Sequence, residues 1–178
     1  VNLILFAGQQ IFDERYNEIV NLADTFERSC NHWSAERRKE MESFYALASV
    51  DYRHLAEAIN WKTWLEAKQK AIGSRSLRLL DVACGSGKFP AALASHAKVA
   101  SAKISPIDYA LLDPSKFSIS EARQALITPF KAGAEYEIKL QDLKCQPNSF
   151  DVAWAVHALY AIPYNELKTS LRCMVRAI

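Results

Sequence analysis

The sequence predicts an α/β domain: a three-layer αβα arrangement built on a parallel sheet and preceded by a helical cap. Two observations carry this. After Gly73, short β-type runs alternate with helical stretches, the pattern of a parallel sheet wound by right-handed crossovers. Between Ile11 and Ala71, by contrast, there is neither glycine nor proline, and apolar residues recur at spacings of three and four.

The opening VNLILFAG reads as a strand or a helix start packed on the body. Its apolar run falls short of the ~20 residues that span a bilayer, and it lacks a basic leader. In the helical part, Ile11, Tyr16, Ile19, Val20 and Phe26 suit one face of a first helix. Met41, Phe44, Tyr45, Leu47 and Ala48 suit a second, and Leu55, Ala58, Ile59, Trp61, Trp64 and Leu65 a third. Cap-forming residues lie between Asn31 and Ser34, and Gly73 is a stop signal. Residues 1–73 are therefore expected to form a cap segment and residues 74–178 the α/β part.

Four strands are expected in that part: LRLLDVA (77–83), IDYALLD (107–113), AEYEIKL (134–140) and FDVAWAV (150–156). GKFPAALASHA follows the first as a helix that tolerates Pro90 in its first turn. SKFSISEARQALITPF follows the second, with Ser118 and Glu121 in capping-box relation and Pro129 as its stop. YNELKTSLRCMVRAI closes as an amphipathic helix.

Composition narrows the function classes. Of 178 residues, half are hydrophobic and 24% charged, the balance of a folded globular chain. A net charge of +2 with charges spread along the chain gives no footprint for nucleic acid or an anionic membrane. Cys30, Cys84, Cys145 and Cys173 form no C-x-x-C pair, so no metal site and no secreted disulfide framework is indicated, and a reducing cytoplasm is expected.

The chemistry concentrates in LLDVACGSGKF, residues 79–89. A parallel strand ending near an acidic residue, then a glycine turn and a helix start, forms a ligand crevice at the carboxyl edge of a sheet. Gly85 and Gly87 permit close backbone approach, and the helix start offers free N–H groups. A dinucleotide site wants G-x-G-x-x-G, and Pro90 stands where its third glycine belongs. Asp81, ahead of the loop, instead suits a ligand ammonium. Each residue also has a plainer reading: Asp81 as a helix cap, Asp113-Pro114 as turn chemistry, His157 as a hydrogen-bonded strand end, Cys84 as packing.

From Leu77 to Ile178 the chain resembles the first half of a class I, Rossmann-like S-adenosylmethionine-dependent methyltransferase. D-x-A-C-G-S-G matches the first motif, with Ala83 at its first glycine; YALLDPS, LQDL and FDVAWAVHALYAI follow in the family's order. The resemblance implies that Asp81, Ala83, Gly85 and Gly87 cradle the methionine end of the cofactor. Asp113, beside Pro114, would grip both ribose hydroxyls, Asp142 would accept from the adenine amine, and Leu143 would pack on the ring. Val156 and His157 would face the reacting methyl, with His157 as candidate base, and Tyr45 or Tyr52 would close over the cofactor. The interval from Gly87 to Asp113 is longer than the family pattern, which leaves Asp108 as an alternative ribose ligand.

The family sheet runs 3-2-1-4-5-7-6, so this chain is expected to show 3-2-1-4 with strands 5–7 absent and the strand-4 edge bare. Coverage by the N-terminal helices, homodimer pairing through that edge, or truncation would each resolve it. The implied function is methyl transfer to a small-molecule N, O or C nucleophile, without metal. The alternatives are a truncated, non-catalytic cofactor-binding remnant or protein-interaction module, and an NAD(P)-binding Rossmann enzyme.

Overall fold

The computed structural model describes residues 3–6, 31 and 33–178. The predicted first helix, from Ile11 to Phe26, lies outside them. Along the described chain run β1 (Leu3–Phe6), α1 (Arg38–Ala58), α2 (Trp61–Ile72), β2 (Arg78–Val82), α3 (Lys88–His96), β3 (Ile107–Leu112), α4 (Lys116–Ala125), β4 (Phe130–Tyr136), β5 (Val152–Val156) and α5 (Tyr164–Ala177), with short 3-10 turns between some of them.

The strands form one sheet in the order β1-β5-β2-β3-β4, every neighbouring pair parallel. Counted from β2, this contains the expected 3-2-1-4 order. The expectation of a bare edge needs correction: β1 pairs with β5 from Leu3↔Ala153 to Phe6↔Val156. Leu3–Phe6 thus satisfies the ladder groups that an open edge would leave to a second copy, so a homodimer through the bare β5 edge loses its premise.

Alternation along β2 sets up two cores. Leu79 faces one side, where Trp61, Leu65, Phe89, Leu93 and Ile119 from the helices are buried. Leu80 and Val82 face the other, packed with Met174 and Ala177 of α5 and with Leu140 and Phe150. Three layers follow. Trp154 anchors the first core, fully buried with its ring edge-to-face against Phe89 at 5.1 Å and Tyr109 at 5.8 Å.

Three boundaries differ from the sequence reading. Leu55 and Ala58 belong to the same long helix as Met41 and Tyr45; the break comes at Asn60, whose side chain accepts from the Thr63 N–H. The cap of α4 is Ser115, whose hydroxyl accepts from Ser118 N; Glu121 turns outward to a bidentate pair with Arg38 at 3.0 and 3.1 Å. β4 starts at Phe130, four residues ahead of the expected AEYEIKL, because Phe130 pairs opposite Ile107 and packs on Tyr109 at 5.1 Å.

At the amino ends of β2 and β5, Asp151 accepts two 2.6 Å hydrogen bonds from Arg75 and one of 2.9 Å from Arg78 N. Burial opposes its ionisation, yet the hydrogen bonds from Arg75 and Arg78 hold its carboxyl well below the usual range. Asp151→Ala is expected to lower the unfolding free energy at pH 7 by about 2–3 kcal/mol, read by urea denaturation. The deficit shrinks in acid, as the native carboxyl protonates and its own contribution is lost.

Candidate functional site

β2 ends where the glycine loop begins, and three of its next five residues are left-handed: Ala83 at φ 52°, Gly85 at 51° and Gly87 at 70°. The two glycines hold this conformation without the Cβ penalty that Ala83 carries. The loop is pinned from three sides. Cys84 N donates to Leu112 O at 3.1 Å, Gly85 N to Asp113 Oδ2 at 3.1 Å, and Ser86 N to the Tyr45 hydroxyl at 3.1 Å. Gly87 then caps α3, and Pro90 falls in its first turn, where no helical hydrogen bond is lost.

The loop floors an open cleft lined by apolar and aromatic side chains with a few polar groups among them, the make-up of a small-molecule site. From the loop and the ends of β2 and β3 come Asp81, Ala83, Gly85, Asp113 and Pro114. From β5 and its turn come Val156 and His157, and from α1 come Tyr45 and Tyr52. Gly87 is outside this wall, as helix cap. Asp142 is exposed outside it and Leu143 is buried in the opposite core, whereas their neighbours Lys139, Leu140 and Gln141 stand in it. Asp108 is exposed at the far, amino-terminal end of β3 and takes no part.

Two buried carboxyls dominate the electrostatics. Asp81, 3% exposed, accepts a 2.6 Å hydrogen bond from the Tyr109 hydroxyl. Burial lifts its pKa to about 7, against the stabilising pull of that hydroxyl, and the Asp113 charge adds to the rise. Asp113 accepts from Ser115 N at 2.8 Å and from Gly85 N; burial lifts its pKa to about 6 while both backbone bonds work the other way. An ionised carboxylate offers about four acceptor positions, so two on Asp113 remain for a ligand. Such a pair favours a cationic, hydroxyl-bearing occupant.

His157 is also left-handed, at φ 52°, a strained position for a side-chain-bearing residue. Its ring meets Tyr52 edge-on at 5.1 Å, and Nε2 lies 3.9 Å from Asp51 Oδ2 with no hydrogen bond among the described residues. The aromatic wall extends beyond the predicted residues to Trp33, Phe44, Phe89 and Tyr160. Trp33 is tied in where its carbonyl accepts from the Ser115 hydroxyl at 2.6 Å. No spacing signal joins residues so far apart in the chain; aromatic content alone hinted at them. Among the described residues no cluster of three metal-ligating side chains occurs, and no helix is long and apolar enough to cross a membrane.

A family model described as a methyltransferase domain matches residues 79–178. No curated protein matches the sequence. Among solved structures, the S-adenosylmethionine-bound magnesium protoporphyrin IX methyltransferase of Synechocystis PCC 6803 superposes with a TM-score of 0.58 at 15% identity, over 85% of this chain and 70% of its own. An S-adenosylmethionine-dependent methyltransferase of Methanococcus maripaludis, described as putative, gives 0.53 at 17% identity over 82% and 59%. A sugar N-methyltransferase of Streptoalloteichus gives 0.50 at 22% identity, over 78% of this chain and 49% of that one. At these identities the likeness is one of fold, and the chain spans about half to 70% of the length of these neighbours.

Proposed function

The chain belongs to the methyltransferase domain family, and from that premise we propose that its cleft binds S-adenosylmethionine and directs methyl transfer to an N, O or C nucleophile on a small molecule. The observation that carries the proposal is the pair of buried carboxyls, Asp81 and Asp113, at the carboxyl ends of adjacent strands on either side of a glycine turn. The cofactor supplies an electrophilic methyl on sulfur. Everything else falls to the chain.

Asp113 is preorganised for the ribose: Ser115 N and Gly85 N fix both oxygens, and the remaining lone pairs accept from two hydroxyls. Asp81 meets the ammonium of the methionine moiety, which favours its charged form. Gly85 keeps the cleft floor open, since a Cβ there would lie 2.7 Å from the Tyr45 hydroxyl. Leu140, which stands in the cleft wall where the expected Asp142 and Leu143 do not, packs on the adenine. Residues 74–178 thus hold the cofactor, while α1 closes it in with Tyr45 and Tyr52. Excluding water and aligning nucleophile with methyl supply most of the rate, and His157 takes the proton when the nucleophile carries one.

Calorimetry with S-adenosylhomocysteine and with NAD tests this directly. Heat with the first and none with the second is expected; no heat with S-adenosylhomocysteine rejects the reading. Asp113→Ala is expected to weaken that binding by about 1–3 kcal/mol, roughly fivefold to 150-fold. Unchanged affinity removes Asp113 from the ribose site.

A further inference from the structure

Away from the cleft, two cysteines separated by 28 positions in the chain come to one place. Cys145, in the loop before β5, and Cys173, on α5, line the same surface hollow, together with Lys144 and Arg176. Both thiols are free and half-buried against the second core. The loop is laid along α5 by backbone bonds from Asn148 N to Arg176 O at 3.2 Å and from Phe150 N to Ala177 O at 2.9 Å. Neither Lys144 nor Arg176 has an ion-pair partner among the described residues. Cys84, by contrast, is buried, and burial pushes its thiol far up, so it is a packing residue.

We propose that Cys145 and Cys173 form a dithiol exchange site for an anionic low-molecular-weight disulfide of the glutathione class. Lys144 and Arg176 draw the carboxylates of such a disulfide into the hollow, which brings its sulfurs against the two thiols. One protein thiol, having lost its proton to solvent, attacks a disulfide sulfur; a protein–ligand S–S bond forms and the second ligand sulfur leaves as thiolate. The neighbouring cysteine then loses its proton and displaces the remaining ligand thiolate, closing a Cys145–Cys173 bond. The balance is one disulfide reduced to two small thiols for each pair of protein thiols oxidised. A structural consequence follows inside the chain. The Cys173 thiol now donates to Gln141 O at 3.7 Å, and Gln141 stands in the cleft wall and also donates to Glu166, so oxidation removes a tether from the Leu140–Asp142 turn.

The test is to incubate the folded chain with oxidised glutathione, quench with acid, and map peptides by mass spectrometry. A Cys145–Cys173 linkage as the main product at these two positions is expected, reversed by dithiothreitol. Cys173→Ser is expected to trap a mixed disulfide on Cys145 instead. Stable mixed disulfides on both cysteines of the unaltered chain would overturn the proposal. So would absence of reaction at both under conditions where the urea-unfolded chain is modified. Because this experiment contains no methyl donor, its outcome is independent of the cleft's ligand.

Discussion

Asp81→Asn is expected to stabilise the chain at pH 8 by about 2–4 kcal/mol while impairing the proposed cofactor site. In the folded chain Asp81 titrates at about 7, with burial as the main cause; in the unfolded chain an aspartate titrates near ~4. Between those values the folded state keeps a proton that the unfolded state has released. Stability contributed by the neutral form is therefore full below ~4, declines as pH rises through the window, and stays low above about 7. An asparagine accepts the Tyr109 hydrogen bond and never ionises, so this component of the decline disappears. Asp113, lifted to about 6, leaves a shallower decline that ends earlier. Urea denaturation at pH 5 and pH 8 of both proteins measures the effect; an equal loss in both assigns the pH dependence elsewhere. The same substitution removes the negative charge proposed to face the ligand ammonium, so S-adenosylhomocysteine affinity is expected to drop as stability rises. A residue that costs stability and serves binding is what a site built on a buried charge requires.

Gly87→Val is expected to be the most disruptive single change in the glycine loop, with a loss of more than about 3 kcal/mol in unfolding free energy. Two costs combine. The backbone is left-handed, and a Cβ would lie 3.0 Å from Ala122 Cα and 3.1 Å from Ala125 Cβ, both on α4. Helix backbone cannot swing aside as a side-chain tip can. Gly73→Ala gives strain without collision: nothing lies within 4 Å of its added carbon, while its φ of 79° and ψ of −141° fall outside the left-handed helical region, where side-chain-bearing residues are rare. Its cost is expected at about 1–3 kcal/mol, the backbone strain alone. Thermal unfolding of the pair separates strain from collision; equal shifts would show that α3 and α4 give way freely.

How much of this was legible in the sequence depended on where each element sits. β2, β3 and β5 are buried over most of their length, so they appear as largely apolar runs, and the sequence places their ends within two residues. β4 is an edge strand that is largely exposed, so its alternation carried little information; long-range pairing with Ile107 set its true start. The boundary between α1 and α2 was blurred because no glycine or proline marks it. Asp81 and Asp113 were legible as chemistry because carboxylates at strand ends beside a glycine turn have a local signature. The Tyr109 hydroxyl that holds Asp81, and the Ser115–Trp33 bond that anchors the aromatic wall, join residues 28 and 82 apart. Contacts of that range leave no mark on spacing.

The pairing of β1 with β5 also dictates an order of events. Leu3 meets Ala153, so the first strand among the described residues finds its partner about 150 residues later, a highly non-local contact. During synthesis LILF emerges well before β5 and stays without that partner until β5 has left the ribosome, at roughly 5–20 residues per second a wait of about 8–30 s. For that interval an apolar β-prone segment of the nascent chain lacks its sheet partner. Folding yield, more than final stability, is where substitutions in residues 3–6 would first be felt.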